Sequence, residues 1–147
     1  MRIIAEAPSR IDLAGGTVDI YPIYLLENGA MTINMAVTVV RRVVIHCEGG
    51  DGIEIVAEDI GRRVCAPSVQ ELETDEWLDL VCRVVKFYGA PEGVRIITRN
   101  DAPHGSGLGA SSSLLICLSG ALCELNGREI GSEEMIRYAM NLEVQNI

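Results

Sequence analysis

Aromatic side chains are scarce in this chain: one Trp, one Phe and four Tyr among 147 residues. A core must therefore rest on Leu, Ile, Val and Met. Basic residues are also few, 12 Lys and Arg against 21 Asp and Glu, for a formal charge of −9. Such a chain repels phosphate backbones and anionic membranes unless its cations cluster. Only two basic doublets occur, Arg41–Arg42 and Arg62–Arg63, so nucleic acid is disfavoured as a partner. A small anionic ligand stays open, because a local site can be positive on an acidic protein. The chain has no CxxC. Its five cysteines (Cys47, Cys65, Cys82, Cys117, Cys123) are irregularly spaced, and only His46 and His104 could join them as imidazole ligands. Buried free thiols in a reducing cytoplasm are the better reading than a zinc cluster or a disulfide framework. Long apolar runs are missing as well. No charged residue occurs from Ala102 to Cys123, but only Leu114–Cys123 is strongly apolar. That is about half of the ~20 residues a membrane span needs. Residues Met1–Glu6 lack the apolar stretch of a signal peptide. The expectation is a soluble, cytoplasmic protein with no membrane partner.

The chain does have enough apolar material for one domain, with 48% hydrophobic and 22% charged residues. Arg2–Ala7 and Arg10–Ala14 read as two extended segments, separated by Pro8 and followed by a Gly15-Gly16 break. Met31, Ile33, Met35, Val37 and Val39 alternate with polar or small residues, the period of a half-buried strand with these side chains in the core. Val40–Cys47 continues the strand character, and Gly49–Gly52 turns the chain into a strand at Ile53–Ala57. Asp59–Glu73 has no clear period. Asp75 is placed to cap a helix running to Tyr88, with Trp77, Leu80, Val81, Val84 and Tyr88 on one face. Gly93–Arg99 reads as a strand, and Ala110–Leu125 as a helix with a stripe of Leu114, Leu118, Ala121, Leu122 and Leu125. Ser132 reads as the cap of a last helix. Strands come first and helices mostly later, so the class is α+β.

The strongest local signal lies between the last strand and the Ala110 helix, at Pro103-His104-Gly105-Ser106-Gly107-Leu108-Gly109-Ala110-Ser111-Ser112-Ser113. Three glycines at alternate positions let the backbone curl and approach a ligand without Cβ obstruction. The free amides of the following helix then face that concavity, which is a phosphate-binding arrangement. One hydroxyl of Ser111–Ser113 could ligate Mg²⁺. No Lys follows the last glycine, so the loop is not a Walker A sequence, and its GxGxG spacing is not the dinucleotide fingerprint. A flexible loop capped by serines is the plain alternative. On the last helix, Ile136, Ala139, Met140 and Ile147 fall on one side with Glu143 in the middle of the stripe. A carboxylate there is costly unless something pairs with it.

Pro103-x-x-x-Gly107-Leu108-Gly109-Ala110-Ser111-Ser112 resembles the ATP-binding motif of the kinases named for galactokinase, homoserine kinase, mevalonate kinase and phosphomevalonate kinase (GHMP). A second stretch, Ala7-Pro8-Ser9-Arg10-Ile11-Asp12-Leu13-Ala14-Gly15-Gly16-Thr17-Val18-Asp19, resembles the family's N-terminal motif and precedes the first in the required order. It is most similar to the sugar-kinase branch, especially kinases of heptose phosphate and fucose. The resemblance implies an N-terminal GHMP kinase domain over residues 1–147, with a mixed sheet, helices on one face and a fold shared with a ribosomal-protein domain. It implies ATP and Mg²⁺ as cofactors, and a small-molecule sugar or sugar phosphate as the acceptor, with the anomeric hydroxyl as the expected position. Pro103, Gly105, Ser106, Gly107, Leu108, Gly109, Ala110, Ser111 and Ser112 would cradle the ATP phosphates. Ser111 and Glu143 would ligate Mg²⁺, and Arg10 would stabilise charge on the transferred phosphoryl group. Asp19 and Gly16 belong to the expected sugar site. Plain alternatives stand beside these roles: a surface salt bridge for Arg10, a turn residue for Asp19, and a water-facing glutamate for Glu143. For His104 a local loop contact is expected.

The family's catalytic aspartate, which follows this glutamate in a glycine-containing segment, and its third, glycine-rich motif are not found in the sequence. The expectation is therefore the N-terminal part of a kinase, inactive alone, whose partner is a missing C-terminal domain or a second copy in a homodimer. Two other classes remain open: a non-catalytic fragment or degenerate paralogue acting as a ligand-binding module, and an RNA-binding domain, which the charge disfavours.

Overall fold

The computed structural model describes residues 1–16, 22–26, 29, 31–73, 77–103 and 105–144, with 24 and 144 by backbone alone. Its elements are β1 (Arg2–Ala14), α1 (Ile23–Leu26), β2 (Ile33–Cys47), β3 (Ile53–Ala57), β4 (Arg62–Ala66), α2 (Asp79–Tyr88), β5 (Val94–Asn100), α3 (Ala110–Leu125) and α4 (Ser132–Val144). The strands form one sheet in the order β1-β2-β5-β3-β4. Only β3 and β5 run parallel, and the chain between them passes through β4 and α2, the crossover a parallel pair requires. The α+β class with a mixed sheet is what the sequence leads one to expect.

One face of the sheet carries the core. Val43 and Ile45 of β2, Ile53 and Ile55 of β3 and Val94 and Ile96 of β5 are buried at alternate positions. Against them lie Leu115, Leu118 and Leu122 of α3 and Val81, Val84 and Val85 of α2. Burial of each such side chain contributes roughly 1.5–3 kcal/mol, so aliphatic packing replaces the missing aromatics. The opposite face is polar and laced with ion pairs, such as Arg42–Glu6 and Glu54 with Arg63 and Arg95.

Several local expectations are corrected. Pro8 does not split the first strand. β1 runs through it, and the irregularity is a register shift between Pro8 and Ser9, where an edge strand tolerates a missing N–H. The alternation from Met31 to Val39 is not core: Met31 is 83% exposed and Ile33 60%. The physical reason is strand length. β5 pairs with β2 only from Arg41 to Cys47, so the earlier part of β2 pairs with β1 alone and forms a two-stranded ribbon beyond the sheet. The aperiodic stretch contains β4, which pairs with β3. α2 begins at Asp79, leaving Trp77 ahead of the helix and half exposed; the expected cap, Asp75, lies outside the described residues. Gly131 rather than Ser132 precedes the first turn of α4, since the Met135 amide donates to the Gly131 carbonyl. On the expected stripe of α4 Ala139 is buried, but Ile136 is 53% exposed, and Leu142 is buried beside Ala139. Of the thiols, Cys82, Cys117 and Cys123 are buried, Cys47 is half-buried and Cys65 is exposed.

Candidate functional site

The glycine loop joins β5 to α3, and three features fix its shape. Asn100 closes the end of β5, accepting from the Ala102 amide at 2.9 Å and donating to its carbonyl at 2.5 Å. Gly105, Gly107 and Gly109 take φ of +74°, +70° and +65°, a left-handed conformation at alternate residues that other side chains rarely adopt. The edge strand then holds the loop from outside: the Arg10 amide donates to the Leu108 carbonyl at 3.1 Å, and Ser113 Oγ to the Pro8 carbonyl at 2.9 Å.

α3 starts without a side-chain cap. Its first backbone bond runs from the Ser113 amide to the Gly109 carbonyl, so the amides before Ser113 lack an acceptor within the helix. Left-handed glycines leading into an uncapped helix of sixteen residues make a concavity lined by N–H groups at the positive end of a dipole. Arg10 lies over it, and a Cβ added at Gly109 would come within 3.3 Å of Arg10 Cγ. Arg10 also pairs with Asp12 at 3.2 Å, so the surface salt bridge and the site position hold together.

Glu143 reaches this mouth from α4. Its carboxylate accepts from Ser111 Oγ at 2.5 Å and from Ser112 Oγ at 2.9 and 3.1 Å. The water-facing alternative for Glu143 therefore does not describe its contacts. A hydroxyl and a carboxylate at contact distance beside an amide-lined loop are hard-oxygen donors of the kind Mg²⁺ takes. Among the described residues there is no cluster of three or more His, Cys, Asp or Glu side chains that could hold a metal by itself.

The loop forms one wall of a cleft of about 540 Å³, whose other walls include Ala57, Ile60, Trp77, Leu80 and Val81. The family model described as GHMP kinases N terminal domain matches residues 78–147, which include the loop, α3 and α4. Over that stretch the chain resembles the N-terminal domain of GHMP kinases. It is 29% identical to the D-glycero-alpha-D-manno-heptose 7-phosphate kinase of Campylobacter jejuni, over 99% of this chain and 44% of that protein. It is 26% identical to the mevalonate kinase of Methanothermobacter thermautotrophicus, over 98% of this chain and 43% of that protein. A crystal structure of a D-glycero-D-manno-heptose 1-phosphate kinase from Bacteroides thetaiotaomicron superposes with a TM-score of 0.82 at 30% identity, covering 97% of this chain and 48% of that one. The chain thus spans less than half the length of these relatives.

Of the residues expected at a GHMP site, the fold gathers Arg10, the loop from Gly105 to Ala110, Ser111, Ser112 and Glu143. Gly16 lies beside them: a Cβ there would come within 2.8 Å of Asp12 Oδ2, and Asp12 itself lines the cleft. Pro103 accepts the Ser106 amide at the start of the loop and does not line the cleft. Asp19 and His104 lie outside the described residues. Sequence reasoning missed Arg41, Asp59 and Thr98, which also line the cleft. For Arg41 a signal existed, because it shares the inward i, i+2 series with Val43 and Ile45.

No helix among the described residues is long and apolar enough to cross a membrane.

Proposed function

We propose that this chain is the nucleotide-binding part of an ATP-dependent kinase that phosphorylates a hydroxyl of a sugar or sugar phosphate. The observation that carries the reading is the convergence of Ser111, Ser112 and Glu143 at the uncapped start of α3. Two carboxylate oxygens and two hydroxyls meeting at an amide-lined mouth form a set of hard-oxygen donors where polyphosphate charge would lie.

In this reading the amides of the loop and of the first turn of α3 that have no backbone acceptor hold the phosphates by hydrogen bonds that require no side chain, which suits an acidic protein. Ser111 and Glu143 would hold Mg²⁺, whose chemistry is to neutralise charge on the β- and γ-phosphate oxygens. Their mutual hydrogen bond keeps both oxygens in place for it. Arg10 would face the transferred group, where its guanidinium stabilises charge on the phosphoryl oxygens. Its orientation is set by Asp12 and by the backbone bond to Leu108. Asp19 and Gly16 are assigned to the acceptor sugar, since a carboxylate can accept from two hydroxyls at once. The proton of the attacked hydroxyl goes to a base that is not among the residues gathered here. The sugar phosphate is favoured as acceptor by likeness to the two heptose phosphate kinases.

Calorimetric titration with ATP, with and without Mg²⁺, tests the site directly. The unsubstituted chain is expected to bind ATP more tightly with the metal. Ser111→Ala and Glu143→Gln should each weaken MgATP by about ten- to a hundredfold, the worth of a hydrogen bond to a charged group, and should abolish the metal dependence. Unchanged MgATP affinity in both variants would remove the metal role from this pair.

A further inference from the structure

The cleft has walls of two kinds. One is the loop with its backbone amides, and beside it Asp12 is tied to Arg10. The other is apolar, with Ala57, Ile60, Trp77, Leu80 and Val81, and the ion pair of Arg41 with Asp59 lines the same cleft. Arg41 of β2 is only 8% exposed, and its Nη1 meets Asp59 Oδ2 at 3.5 Å. Asp59 stands on the turn after β3, which is held against β5 where the Glu58 amide donates to the Thr98 carbonyl at 3.0 Å.

This pair is under-used as a structural device. A buried guanidinium is costly unless its donors are well matched, and a 3.5 Å contact to one carboxylate is a weak match. Arg41 Nε has no hydrogen-bond partner among the described residues. Burial holds the guanidinium below its usual range, with Asp59 acting in the opposite direction. The combined charge is zero, so the pair does not select an anion. It offers a donor beside an acceptor in an apolar slot, and that combination suits the edge of a neutral heteroaromatic ring.

We propose that Arg41 and Asp59 read the adenine base of the bound nucleotide, Arg41 donating to a ring nitrogen while Asp59 accepts from the 6-amino group. A donor and an acceptor side by side is the set an asparagine presents to adenine N7 and N6. Trp77, half exposed on the same cleft, supplies a flat apolar wall for the ring. Both residues are thereby specificity determinants in the cleft that the loop lines. The inference rests on the nucleotide reading of the loop.

The test is calorimetry on the full chain with the magnesium salts of ATP, ITP and inorganic tripolyphosphate. ITP keeps the sugar and phosphates but carries an oxygen in place of the 6-amino group. The unsubstituted protein is expected to bind ATP about tenfold or more tighter than ITP. The double variant Arg41→Met with Asp59→Leu removes both charges together and leaves neither orphaned. It should bring the ATP-to-ITP ratio close to one and leave tripolyphosphate affinity unchanged. Equal affinity for ATP and ITP in the unsubstituted protein overturns the proposal without needing a variant. So does a ratio that survives in the double variant. Tripolyphosphate bound without base discrimination would sink the base-reading role alone. Failure of both ATP and tripolyphosphate to bind would sink the nucleotide reading, and this inference with it.

Discussion

Cys117 shows how burial at one residue becomes a property of the fold. It lies on the inner side of α3, and its thiol donates to the Arg41 carbonyl across 3.7 Å. Burial, the main cause, pushes its pKa from 9.0 up to about 11. A group whose folded pKa is raised stabilises the fold fully below its unfolded value and loses that contribution as pH rises through the folded value. The fold should therefore weaken between about pH 9 and 11. Denaturant unfolding at these two ends should show a smaller drop in midpoint for Cys117→Ala than for the unsubstituted chain; an equal drop would remove Cys117 as a cause. At mild alkaline pH, exposed Cys65 should alkylate while Cys117 stays protected. Composition suggested buried thiols, and this holds for Cys117 but not for Cys65, whose strand is at the sheet edge. Arg41 was missed for a related reason. A basic doublet looks like surface, which masked the i, i+2 series that sets Arg41 with the core while Arg42 pairs outward with Glu6.

At the scale of elements, what was legible followed from backbone punctuation. Gly89 places the end of α2, and the glycine loop and Asn126 place both limits of α3, where the structure has them. Amphipathic stripes were less reliable. α3 is packed on several sides, with Leu115, Cys117 and Ser119 buried beside Leu118 and Leu122, so its period carries little information. On α4 the expected stripe is right at Ala139, which is buried with Leu142, and wrong at Ile136 and Met140, which are exposed. Glu143 was nevertheless found, because its place in that stripe and the order of the motifs both pointed to it. The start of α3 also yields a prediction. Gly109→Ala would place a Cβ on a left-handed residue and against Arg10. A stability loss of about 1–2 kcal/mol is expected in urea unfolding. MgATP affinity should fall further than that of Gly131→Ala, a glycine with nothing within 4 Å of its added Cβ. Equal effects on affinity would show that the loop does not depend on this conformation.

Over the whole molecule, the apolar surface is unevenly covered. Leu13, Ile33 and Met35 stand exposed on the β1–β2 ribbon, where no other strand pairs with β2. Contiguous exposed apolar residues promote association, so the chain should self-associate as its concentration rises. Sedimentation velocity over a dilution series measures this directly. Leu13→Glu with Met35→Glu should shift the population towards monomer, and a chain that stays monomeric throughout would count against the ribbon as a sticky face. The strand order has a last consequence, for modularity. β5 lies between β2 and β3, and the glycine loop hangs from Pro8 and Arg10 on the outer strand. The stretch from residue 78 onward holds the recognisable motif and both helices that meet at its mouth. Yet excised, it would be left with a solitary strand and an untethered loop. The recognisable half is thus not a transplantable part, and grafting the glycine loop elsewhere would require carrying a strand from the opposite end of the chain.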